Sequence, residues 1–255
     1  MVADESVRLK KYYPTVEGLF GGSQTLYYDN QYGVLDGIYY GGCGLVAMAD
    51  YLLYRSQMEK DLVETLPLSL RGMAHSLQAY QSFLEQLSST CVAPLRRPFY
   101  SLKHHPQNGE YLLGIQGWQL VRGFKRYYRR NELSDRLVQF LKIKHYKEDI
   151  VEVIREQLSK NHPVPLLIGP TATQFPKGLR VLGGKQELEM YKVTSEGKIG
   201  SAVSVTSHWV TIVGIEENDD ESYFSVASWG EKYLIKVKST LNLTDYFSGI
   251  LKITS

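Results

Sequence analysis

Directly after Gly41-Gly42, apolar residues fall at the spacing of one helix face. Leu45, Met48, Ala49, Leu52 and Leu53 predict a helix from Cys43 to about Gln57. Leu77 to Leu87 repeats the pattern. From Gly117, Trp118, Val121, Phe124 and Tyr128 space their bulk helically while Arg122, Arg126, Arg129 and Arg130 charge the rest, which predicts a basic amphipathic helix. Lys147 to about Lys160 buries Ile150, Val153, Ile154 and Leu158. Asn161-His162-Pro163 then stops that helix before an apolar run, Val164 to Gly169, of the kind a buried strand makes. From Ser204 the pattern is that of antiparallel sheet: Val205, His208 to Ile215, a charged turn Glu216 to Glu221, Tyr223 to Trp229, and Lys232 to Lys238. Residues 1 to 40 are rich in Gly and Tyr, with turn signals at Gly21-Gly22-Ser23 and Asp29-Asn30, and predict loop with one short strand. Pro94, Pro98 and Pro106 break the chain between the second and third helices.

The expected fold class is therefore α+β: a single unit over residues 1–255, mainly helical over about 1–160 and mainly β over about 161–255, with no internal repeat. A chain of 255 residues with a formal charge of +2 can bury a sizeable core and is too near neutral to make nucleic acid an obligatory partner. The basic helix Arg122 to Arg130 reads as a solvated face, so nucleic acid is not favoured. The first residues, Met1 to Lys11, carry charges of both signs and no apolar core. No later stretch approaches the roughly 18 uninterrupted apolar residues of a membrane span, and the expected location is cytoplasmic. His75 and His104-His105 have no Cys or carboxylate at a recognised metal-binding spacing, so neither metal nor cofactor is expected.

Chemistry enters with the two cysteines, Cys43 and Cys91, which form no CxxC pair. Cys91 follows Ser88-Ser89-Thr90 and reads as structural. Cys43 opens a helix, where partial positive charge and unpaired N–H groups favour a thiolate. Gly41, Gly42 and Gly44 keep the backbone around its sulfur uncrowded, so that a substrate carbonyl can approach the Cys43 N–H. A base is available in His208, which opens a strand and shares a face with Val210 and Ile212.

Gly42-Cys43-Gly44 at a helix start, the His208-Trp209-Val210-Thr211-Ile212-Val213-Gly214 strand and Ala227-Ser228-Trp229-Gly230, in that order, resemble papain-like cysteine peptidases. The turn before Pro163-Val164-Pro165-Leu166 is closer to the bacterial C39-like branch. The resemblance touches most of Tyr27 to Leu53 and Ile150 to Ile235. It implies a two-lobed papain-like fold and a hydrolase, a thiol protease, in which Cys43 attacks an amide of a peptide or protein substrate and His208 moves the proton.

Two departures qualify the carry-over. The position that holds Asn or Asp in that family is Ala227, leaving Ser228, Ser225, a carbonyl or a water to orient the imidazole. Ser225 shares strand parity with Ala227, while Trp229 matches the residue that shields the imidazole contact. The family's oxyanion Gln falls on Gly37, and Gln31, with Asn30 before it, is the nearest amide able to donate. The same features admit an acyltransferase using the same pair, or an inactive peptide-binding relative. The Tyr-rich opening, Tyr27, Tyr28, Tyr32, Tyr39 and Tyr40, fits either a peptide cleft or an interlobe seam.

Overall fold

A computed structural model describes residues 6–27, 34–94, 114–145, 150–169, 187–205, 207–218, 221–237 and 243–254. Its helices are α1 (Val34–Gly41), α2 (Cys43–Ser56), α3 (Lys60–Thr65), α4 (Leu77–Thr90), α5 (Gly117–Arg130), α6 (Ile150–Ser159) and α7 (Leu243–Tyr246). Its strands are β1 (Val7–Arg8), β2 (Thr15–Val16), β3 (Leu19–Phe20), β4 (Ala74–His75), β5 (Leu137–Lys142), β6 (Val164–Ile168), β7 (Leu188–Val193), β8 (Ile199–Val205), β9 (His208–Asn218), β10 (Glu221–Ser228), β11 (Glu231–Val237) and β12 (Phe247–Thr254).

The fold is mixed α+β. Eight strands pair in the order β5-β12-β6-β9-β10-β11-β7-β8, antiparallel throughout, and β1 adds to β9 beyond the end of β6. A separate three-stranded patch, β3-β2-β4, ties the first residues to the segment before α4. β9 is thus the best-supported strand, with β6 and β1 along one edge and β10 along the other.

α2 is buried along its whole length except at Cys43. It can pack on all sides because its interior is almost wholly apolar. On one side it meets Phe83 and Leu84 of α4 and Phe124 and Tyr128 of α5, on another Trp209 of β9, and these form one continuous core. A second core lies between α6 (Ile150, Ile154, Leu158) and the sheet (Val164, Leu166, Val210, Ile212, Phe224, Ile235). Successive residues of β9 face different neighbours, as a pleat requires: Trp209 belongs to the α2 core, Val210 and Ile212 to the α6 core. A Cβ on Gly42 would overlap the Ile38 carbonyl, so only glycine lets α1 turn this tightly into α2.

Several elements depart from the sequence expectation. Among the described residues, the first part of the chain holds β1, β2, β3 and α1, a helix with Gly at position 37 that periodicity does not reveal. β5 comes from the part of the chain read as helical and pairs along its full length with β12. β12 lies in the part read as antiparallel sheet, but the residue pattern does not mark β7 or most of β8; the outer strand β8 exposes most of its residues and so shows no alternation. Among the described residues no helix is long and apolar enough to cross a membrane.

Candidate functional site

Cys43 is the first residue of α2 and keeps part of its surface open. Gly44 lets that first turn lie flush against β9, since a Cβ there would stand 3.0 Å from both Ile115 and the Trp209 indole. The indole is fixed by its own Nε1–H, which donates to the Ile115 carbonyl at 2.6 Å. Burial pushes the Cys43 thiol above its ordinary pKa. The backbone N–H groups of Trp209, Gly44 and Cys43 itself favour the sulfur anion and oppose that rise.

His208 is the first residue of β9 and only 6% exposed. Burial alone lowers its imidazole to about 3, so it rests neutral. Its Nε2 lies 2.7 Å from the Ser228 hydroxyl, and its ring stacks on Trp229 with centroids 4.3 Å apart and planes 22° from parallel. Ser228 pairs with Glu231 across the β10–β11 hairpin, so Trp229 and Gly230 are a two-residue turn. Both have positive φ, 48° and 76°, as a type I′ hairpin demands. A tryptophan there costs about 1–2 kcal/mol, and the imidazole contact is what the ring gains by it.

Ser225 plays no part in this contact. β10 pairs regularly with β11 from Ser222 to Ser228, so Ser225 keeps its parity with Ala227 and lies on the face opposite Ser228, and its hydroxyl is buried with no partner among the described residues. Ala227 packs among Tyr13, Tyr54 and Val213.

Cys43 and His208 line one narrow cleft, open in part to solvent, with Gly22, Gln24, Val46, Ala47, Asp50, Trp209, Val210, Thr211, Ala227, Ser228 and Trp229. Two of these residues lie outside the sequence expectation. Gln24 donates from Nε2 to the Tyr39 carbonyl at 2.9 Å, while its Oε1 is buried with no partner among the described residues. Asp50 sits about two turns beyond Cys43 on the same helix. Burial raises its carboxyl to about 6, although the Tyr80 hydroxyl (2.6 Å), the Gly22 N–H (3.0 and 3.1 Å) and the Tyr13 hydroxyl (3.5 Å) all donate to it. A lone carboxylate between Ala49 and Tyr51 in an otherwise apolar helix was the available signal. Nothing local marks Gln24.

Asn30 and Gln31, the expected oxyanion amides, lie outside the described residues, as do Tyr28, Tyr32, His104, His105 and the Tyr27 side chain. Tyr39 and Tyr40 meet edge to face, 4.8 Å between ring centres. Cys43 and Cys91 are both free thiols, Cys91 buried at the end of α4. Among the described residues no three His, Cys, Asp or Glu side chains are grouped to hold a metal ion. No protein-family model matches the chain, and no curated protein is significantly similar to it.

Proposed function

We propose that the protein is a thiol hydrolase of papain-like, C39-like type that cleaves a peptide or other amide bond through an acyl-enzyme on Cys43. The observation that carries this reading is the shared cleft of Cys43, at a helix start, and His208, whose Nε2 is engaged by Ser228 and whose face is covered by Trp229. With Nε2 occupied, Nδ1 is the nitrogen left for the thiol proton. Burial raises the thiol and holds the imidazole neutral, so the resting pair is thiol and imidazole. The proton then moves from sulfur to Nδ1 as the sulfur attacks, and from there to the leaving amine as the C–N bond breaks. In the second step water bonds to the acyl carbon as the imidazole takes its proton, the C–S bond breaks to release the acid, and the imidazolium returns the proton to the sulfur. The Cys43 N–H would serve the developing oxyanion, and Gln24, which lines the same cleft and has one amide hydrogen remaining beyond its bond to Tyr39, is able to join it.

The test is labelling by a Cys-directed electrophilic peptide in the wild type, Cys43→Ala, Cys91→Ala and His208→Ala. Loss of labelling in the Cys43 and His208 variants alone is the expected result; labelling that survives without His208 and vanishes without Cys91 refutes the proposal. The apolar setting of Ala227 favours a second reading, a peptide-binding relative without activity. In that case Cys43 would alkylate only as its buried thiol ionises, above the ordinary thiol range, at a rate indifferent to His208→Ala.

A further inference from the structure

Among the described residues Asp50 is the one carboxylate lining the cleft, and the mechanism above makes no use of it. It is 3% exposed and its oxygens are taken up by protein donors, so it is not shaped to meet a substrate cation. What it holds is a strap. The Gly22 N–H donates to both carboxylate oxygens, at 3.1 and 3.0 Å, and the Gly22 carbonyl accepts from the Gly230 N–H at 3.1 Å. The Gly230 carbonyl in turn accepts from the Phe20 N–H at 2.8 Å. Gly230 is the second residue of the turn whose first residue, Trp229, stacks on His208 and whose preceding residue, Ser228, bonds its Nε2. The glycines are required by this path. Gly21 has φ +76° and a Cβ there would stand 2.5 Å from the Asp50 carboxylate, while a Cβ on Gly22 would overlap the Tyr80 hydroxyl.

Resting on the thiol-hydrolase reading, we propose that Asp50 is a positioning residue: from the helix that carries Cys43, its carboxylate grips the Gly21-Gly22 strap and thereby sets the Ser228-Trp229 turn against His208. The nucleophile and the orienters of its base are then held in register by a single buried anion. Protonation removes the charge that Gly22, Tyr80 and Tyr13 donate to, so the grip weakens as pH falls. The titratable groups around Asp50 are Tyr13 from the N-terminal segment and Tyr80 from α4, which bond it, and His208 from β9 and Cys43 on its own helix, which line the same cleft. Tyr13 is pushed well above its ordinary value, Cys43 is pushed up and His208 is lowered to about 3, whereas Asp50 is raised to about 6. A change in the site centred near pH 6 therefore belongs to Asp50.

The experiment measures alkylation of Cys43 by iodoacetamide between pH 4.5 and 9 in a Cys91→Ala background, with and without His208→Ala, for the parent chain, Asp50→Asn and Tyr80→Phe. In the parent, the part of the rate that depends on His208 is expected to fall in a step near pH 6. In Asp50→Asn that step disappears and the His208-dependent rate drops about tenfold or more at pH 7.5, with near-ultraviolet circular dichroism unchanged. Tyr80→Phe removes a donor that lowers the Asp50 pKa, so it is expected to move the step above 6. That shift decides the matter if Asp50→Asn does not fold. A folded Asp50→Asn chain with an unaltered profile, or a Tyr80→Phe step that stays in place while only the unfolding midpoint falls, overturns the proposal and leaves the hydrolase reading standing. A parent rate indifferent to His208 overturns both.

Discussion

A serine hydroxyl holds the imidazole where the resemblance led one to expect a carboxamide or carboxylate, and an uncharged hydroxyl is the weaker orienter. Ser228→Ala is accordingly expected to lower acylation of Cys43 about ten- to a hundredfold, read as the labelling rate at pH 7.5. Ser225→Ala should leave that rate unchanged and alter stability by less than about 1 kcal/mol, since the hydroxyl it removes is buried and makes no bond among the described residues. The contrast shows what sequence could and could not convey at this scale. Cys43 was legible because its glycines are adjacent to it, and His208 because a β-run follows it. The choice between Ser225 and Ser228 was not, because the face of β10 that meets His208 is set by its pairing with β9 and not by composition. Asp50 and Gln24 are held in the cleft by partners remote in sequence.

Among elements, the long helices α2, α4 and α5 were readable from their periodicity, whereas β5, in the part of the chain read as helical, becomes a strand only by finding β12 across more than a hundred residues. α2 is also fastened at its far end. Arg55 pairs with Glu59, Arg136 pairs with the same carboxylate at 2.7 Å, and the Arg55 guanidinium donates to the carbonyls of Lys160 and Asn161 at 3.3 and 2.9 Å. These bonds attach the C-terminus of the Cys43 helix to the turn that launches β6. Both arginine side chains are less than a tenth exposed, so Glu59→Ala would leave two buried cations unpaired. A loss of about 3–5 kcal/mol in urea unfolding is expected.

For the molecule as a whole, acid acts through groups of opposite sign. Burial holds His162 and His208 at about 3, below the unfolded value of about 6.5, so between these pH values the unfolded chain binds protons that the folded chain does not. Stability therefore falls with decreasing pH by about 1.4 kcal/mol per unit for each histidine, and His75, also lowered by burial, adds in the same sense. Asp50 opposes them. Raised to about 6, it takes up its proton in the folded state first, which favours folding as pH falls from 6 towards the unfolded value of about 3.9. Urea titrations at pH 4.5 and 5.5 should thus show Asp50→Asn losing stability more steeply than the wild type, by about 1.4 kcal/mol per pH unit. The strained turn at Trp229 has an optical consequence besides. An indole stacked on an imidazole is quenched more strongly once the imidazole is protonated, so in a chain with Trp118 and Trp209 replaced by Phe the emission of Trp229 becomes a meter of proton arrival at His208, read without substrate.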